Sequence, residues 1–132
     1  MNRGGKSAMA DARQSDLQVV VTTNREASGA FLVVCEHASN HFPAAFGTLG
    51  LSPEAREAHI AWDPGALGVA RHLARLLDAP LVAAGVSRLV YDLNRPPHSP
   101  GAMAARSEDY GIPGNTRLSV AERLRRTGAV YL

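Results

Sequence analysis

Apolar and polar residues are arranged along this chain in blocks whose lengths predict an α/β fold. Leu17–Thr23 is dense in β-branched residues and predicts a first strand. Phe31–Cys35 is an unbroken apolar run that stops at Glu36-His37 and a small-residue turn, Ala38-Ser39-Asn40. Such a run predicts a central strand buried on both faces, as in a parallel sheet. Ser52-Pro53-Glu54 combines a capping serine, a proline for the first turn and an acid for the helix dipole, so a short helix is expected to end around His59–Trp62. Asp63-Pro64-Gly65 opens a second helix by the same logic. Its apolar residues Ala66, Leu67, Val69, Ala70, Leu73, Leu76 and Leu77 recur at helical spacing, and Asp78-Ala79-Pro80 stops it.

Leu81–Ala84 and Arg88–Leu93 read as two further strands, with Gly85 between them as a bend or bulge. Strand, helix and strand in that order imply a right-handed crossover and a parallel sheet under helices. Asn94–Asn115, with Pro96, Pro97, Pro100 and Pro113, predicts one long loop. Ser119 and Glu122 form a capping box for a last helix, and Ala129–Leu132 is still apolar where the chain stops.

The 132 residues allow one domain with a modest core. A net charge of +2 with scattered arginines excludes a nucleic-acid footprint, and no apolar stretch is long enough to cross a bilayer. The lone cysteine, Cys35, cannot form an internal disulfide, which favours a reducing compartment and hence the cytoplasm. Met1–Asp16 is polar, lacks the apolar core of a signal peptide, and is expected to be a disordered leader.

Three polar clusters interrupt the apolar framework: Glu36-His37, Asp63, and Arg88 with Asp92, Asn94 and Arg95. Imidazole nitrogen and carboxylate oxygen suit zinc, so the first two clusters supply candidate ligands. The third supplies a planar cation beside an amide, suited to a substrate carboxylate. Each has a plainer reading: Asp63 as a helix cap, His37 as a buried histidine bonded to backbone, Arg95 as a partner of Asp92. His41, His59, His72 and His98 have no partner at metal-ligand spacing, and Cys35 reads as a small buried hydrophobe.

The stretches Val34–Asn40, His59–Ala66 and Ser87–Pro96 resemble the N-formylglutamate amidohydrolase family, and the resemblance runs from about Val20 to the end, through Gly111–Asn115 and Leu118-Ser119. It implies a three-layer α/β/α fold with a mainly parallel sheet, like that of zinc exopeptidases. It implies a zinc-dependent hydrolase that splits the amide of N-formyl-L-glutamate, or a similar small N-acyl amino acid, into formate and the amino acid. On this chain His37 becomes a metal ligand and Asp63 a second. Asn94 and Arg95 grip the substrate carboxylate with help from Arg88. Glu36 orients His37 or contacts the metal as a catalytic group.

Members of that family are longer, and a further histidine and acid expected near the metal have no counterpart here. Residues 17–132 are therefore expected to be the amino-terminal part of such a domain. The alternative is an inactive domain that keeps a carboxylate-binding surface, needs a partner segment, or self-associates through an open sheet edge.

Overall fold

The structure, a computed structural model, describes residues 16–132. The expected leader lies outside them except for Asp16, whose Oδ2 accepts from the Ala44 N–H at 2.9 Å.

Three short strands form one sheet: β1 (Val20–Thr23), β2 (Val33–Cys35) and β3 (Leu81–Ala84), in the order β1-β3-β2. β2 runs parallel to β3, as a strand–helix–strand connection requires, whereas β1 is antiparallel to β3. Among the described residues the sheet is thus mixed rather than mainly parallel. Among the described residues the strand expected at the centre lies at the edge. Leu81, Ala83 and Ala84 of β3 are buried, while Val34 is 51% exposed and Phe31 and Leu32 precede the ladder in the open. Hydrophobicity tells that a strand is to be covered; strand pairing decides its lateral place.

Helix α1 (Pro53–Glu57) starts as expected, with Ser52 Oγ accepting from the Ala55 N–H at 3.2 Å, but ends before His59. Helix α2 (Ala66–Leu76) lays Ala70 and Ala74 on β2 and β3, packing with Cys35, Leu81 and Ala83. It is the helix layer on that face. The opposite face, with Val34 paired to Val82, carries no comparable cover among the described residues, so two layers stand here where three were expected. Asp78, just past the end of α2 in the left-handed region at φ +46°, turns its carboxylate to the Ser28 N–H and hydroxyl, and those two hydrogen bonds hold its pKa below the ordinary carboxylate value.

The larger core lies past the end of β3, around Ile60, Val86, Leu89, Tyr91, Met103 and Ile112. Here Arg88–Leu93 is a buried turn, not a strand: the Val90 N–H bonds the Ser87 carbonyl at 3.0 Å. A buried turn must find other partners for its backbone. The Leu89 carbonyl accepts from Asn115 Nδ2 at 2.9 Å, and the Val90 carbonyl faces the buried Arg126 guanidinium at 3.3 Å. The apolar run was a sign of burial, and these side chains removed the need for a ladder.

Asn94–Asn115 is organised as well. It contains a 3-10 turn at Pro100–Met103, a hairpin of β4 (Arg106–Ser107) and β5 (Tyr110–Gly111), and another turn at Pro113–Asn115. Helix α3 (Val120–Arg126) begins with Ser119 Oγ accepting from the Glu122 N–H at 3.1 Å and continues as a wider turn over Thr127–Tyr131. The Glu122 carboxylate does not close the capping box; it binds Arg125 and Arg126. No helix among the described residues is long and apolar enough to cross a membrane.

Candidate metal-binding active site

Three loops meet beyond the carboxyl end of β2, where open α/β sheets place their ligands. Backbone bonds tie them together. The His37 carbonyl accepts from the Asp63 N–H at 3.0 Å, the His41 carbonyl from the Ser87 N–H at 2.7 Å, and the Ala61 carbonyl from Ser87 Oγ at 2.8 Å. Residues far apart in sequence are thereby held at one place.

His37 occupies the middle. Its Nε2 lies 2.8 Å from Asp92 Oδ1, and its Nδ1 lies 3.1 Å from Asp63 Oδ2. A carboxylate only accepts, so a ring nitrogen that carries a proton donates it to the carboxylate it faces, and the Nδ1–Asp63 separation also suits a shared cation. Asp92 is 4% exposed, and a carboxylate buried to that degree needs partners. It has them: Oδ1 also accepts from the Asn94 N–H at 3.0 Å, and Oδ2 faces Arg88 at 3.3 Å. The other terminal nitrogen of Arg88 stands 3.4 Å from Asp63 Oδ1, so one guanidinium spans both carboxylates that flank the imidazole.

Asp63 is not the cap of α2. Gly65, at φ +88°, precedes the helix, and the Asp63 backbone carbonyl, not its side chain, accepts from the Ala66 N–H. That leaves the carboxylate for His37 and Arg88. Glu36 and Asn94 line the same cleft, of about 490 Å³, together with Val33, Val69 and Leu73. Glu36 makes no hydrogen bond among the described residues. Arg95 is placed differently. Its N–H bonds the Asp92 carbonyl and its carbonyl accepts from the Tyr91 hydroxyl, but its side chain runs beside Gly101 and does not line the cleft.

Cys35, buried below His37, has its thiol pushed up in pKa, first by burial and then by the charges of Glu36 and Asp63. Of the other histidines, His59 pairs on the surface with Glu108 at 2.8 Å and His41 bonds the Asp16 carbonyl at 3.1 Å. A second cavity, of about 430 Å³, opens between β1 and α2 and touches none of His37, Asp63 or Asp92.

The donor atoms test the fit to zinc. Two ligands each about 2.0 Å from a tetrahedral zinc stand roughly 3.3 Å apart, close to the separation of His37 Nδ1 and Asp63 Oδ2. A carboxylate behind the other ring nitrogen is the usual support of a metal-bound histidine. The chemistry fits, but the number is short: among the described residues no three His, Cys, Asp or Glu side chains converge to hold a metal. Asp92, which the sequence offers only as a neighbour of Arg88 and a partner for Arg95, meets His37 and Arg88 in the site. Its signal was present, since an acid inside Val90-Tyr91-Asp92-Leu93 is a charge in an apolar run and demands a partner.

A family model described as N-formylglutamate amidohydrolase matches residues 29–132. The chain is also similar to a gene product of Agrobacterium tumefaciens whose crystal structure is solved, with 52% identity and a TM-score of 0.86. That match covers 89% of this chain and 47% of the other, so this chain spans about half the length of its structural relative. No curated protein matches it.

Proposed function

Because this chain belongs to the N-formylglutamate amidohydrolase family, we propose that the His37 cluster is part of a metal-dependent site that hydrolyses the amide of N-formyl-L-glutamate or a similar N-acyl amino acid. The observation that carries this reading is His37 held between two carboxylates, one buried and one facing the cleft. Bound zinc would polarise the scissile carbonyl and acidify a water. His37 Nδ1 and Asp63 would hold it, with a further donor from polypeptide beyond the described residues.

The chain's own residues do the positioning. Asp92 keeps the Nε2 proton in place, so that the Nδ1 lone pair is directed toward Asp63. Arg88 balances the two carboxylates and fixes their spacing. A substrate carboxylate would compete with both for this guanidinium, which makes Arg88 more a brace than a clamp. Asn94, on the cleft wall, is the group for that carboxylate; Arg95, whose side chain runs beside Gly101 outside the cleft, would join it only on turning inward, where bidentate contact would hold the amide against the metal. Glu36 is the free carboxylate within the cleft and the group we assign to proton transfer.

The test is direct. The purified chain, loaded with zinc, is assayed for formate release from N-formyl-L-glutamate and for zinc content by elemental analysis. His37→Ala should remove zinc retention; unchanged zinc would sink the ligand assignment. Arg95→Ala should raise KM for N-formyl-L-glutamate about 10–100-fold, the worth of a charged hydrogen bond, with little effect on an acyl amine that lacks the carboxylate. Equal effects on both substrates would refute the anchoring role.

That no three metal-ligating side chains converge among the described residues favours a second reading, in which the chain binds the substrate carboxylate without turnover. Saturable binding of N-formyl-L-glutamate by calorimetry without formate release would select it.

A further inference from the structure

The cavity of about 430 Å³ between β1 and α2 lies apart from His37, Asp63 and Asp92. It exists because α2 reaches the sheet through Ala70 and Ala74, which rest on β2 and β3 and leave the same face of β1 outside the helix. Its floor is two cross-strand pairs, Val21 with Ala83 and Thr23 with Leu81. Its wall is Leu67 and Arg71, one helical turn apart on α2. Small-molecule sites occupy about 300–1,000 Å³ and combine an apolar lining with a few polar groups, and this cavity does both.

Its charged groups are opposite in sign and stand at opposite ends. Where the chain enters β1, Asp16 Oδ2 accepts from the Ala44 N–H at 2.9 Å, while Oδ1 is buried without a hydrogen-bond partner. A carboxylate oxygen so placed calls for a donor. Its neighbours supply none: His41 Nε2 lies 3.1 Å from the Asp16 backbone carbonyl, and Ser39 Oγ donates to the Gly85 carbonyl at 3.3 Å. Where the chain leaves β1, Arg71 lines this cavity and also a neighbouring cleft with Thr23, Asn24 and Arg75. No hydrogen bond or ion pair engages its guanidinium among the described residues, whereas Arg75 reaches His72 at 3.4 Å.

We propose that this cavity binds a small zwitterion with an apolar spacer, its carboxylate on Arg71, its ammonium on Asp16 and its chain on Val21, Leu67, Leu81 and Ala83. The lining disfavours simpler ligands. A fatty acid would leave Asp16 Oδ1 without a donor, and an alkyl amine would leave Arg71 without an anion. An α-amino acid carries both charges at one end, whereas an ω-amino carboxylate separates them. The floor from Val21 to Thr23 spans two strand residues, about 7 Å, which an extended 6-aminohexanoate covers. Ala38, Ser39 and His41 of the lining follow His37 directly in the chain, so one loop serves both this cavity and the candidate active site.

Calorimetric titration of the 132-residue chain with 6-aminohexanoate tests this. Saturable binding is expected, with hexanoate and hexylamine each at least about 10-fold weaker, the worth of one charged hydrogen bond. Asp16→Asn and Arg71→Gln should each weaken 6-aminohexanoate by about the same 10-fold factor, while Arg95→Ala, beside the candidate active site, should leave it unchanged. Amide shifts in NMR spectra on saturation should centre on Val21, Thr23, Leu67 and Ala83. Absence of saturable binding, hexanoate binding as tightly as 6-aminohexanoate, or weakening by Arg95→Ala in place of Arg71→Gln would each overturn the proposal.

Discussion

The buried carboxylate of Asp92 accepts from Nε2 of His37 at 2.8 Å, joining a loop after β2 to a turn 55 residues later. That bond, with the contact of Nδ1 to Asp63, holds the imidazole between two carboxylates. Asp92→Asn can preserve the volume but presents an amide that accepts less strongly. We expect the chain to keep its circular-dichroism spectrum and to lose about 10–100-fold in zinc affinity, measured by competition with a chromophoric chelator. Unchanged affinity would show that Asp92 does not support the ligand.

Arg126 is 3% exposed and serves Asn115 Oδ1 at 2.7 Å, Glu122 at 3.0 Å, and the carbonyls of Val90 and Gly114. Arg126→Ala leaves those buried acceptors without a donor and a void beside the buried turn. The expected loss is about 3–5 kcal/mol in urea unfolding, since breaking a buried charged network costs that much. A loss under about 1 kcal/mol would mean that water replaces the guanidinium freely.

Glu122 has its pKa held below the ordinary value of 4.5, first by the hydrogen bond from Arg125 and with help from Arg126. A carboxylate depressed on folding adds stability that is complete above its unfolded pKa and disappears as pH falls through the folded one. The stability gap between the native chain and Glu122→Gln should therefore be present at pH 7 and close as the pH is taken below about 4. A gap that widens on acidification would contradict the ion pairs as the cause.

Cys35 should react with iodoacetamide at pH 8 much more slowly than free cysteine, because burial and the neighbouring acids keep its thiol protonated. Fast alkylation would show that burial does not shield the thiol.

At Gly85 an added Cβ would lie 1.8 Å from the Gln18 carbonyl oxygen, against the backbone that leads into β1. Gly85→Ala must move that backbone, where the Gly85 N–H bonds the Val19 carbonyl at 2.8 Å. We expect a loss of about 3 kcal/mol by thermal unfolding, in the range of overpacking. An unchanged melting temperature would show that β1 yields without cost.

Much of this was legible in the residues themselves, because it depended on neighbours in sequence. The capping serines Ser52 and Ser119 accept where a first-turn N–H needs them, and Asp78-Ala79-Pro80 ends α2 for local steric and hydrogen-bonding reasons. Even the polar clusters announced themselves, since charges beside apolar runs are costly unless they have a use.

What the sequence by itself determined, then, was where elements start and stop and which residues are to be buried. Tertiary structure decided what each buried or charged group would meet. Phe31–Cys35 was plainly apolar, but only the folded chain showed Val33–Cys35 paired in parallel with β3. Leu89–Tyr91 was plainly buried, but only Asn115 and Arg126 allowed it to be a turn. Asp63 could cap α2 or face His37, and the backbone carbonyl that accepts from Ala66 settled the choice. The physical reason is range: caps and stops act within a turn of helix, whereas a hydrogen bond between residues 55 positions apart exists only once the chain has closed the distance.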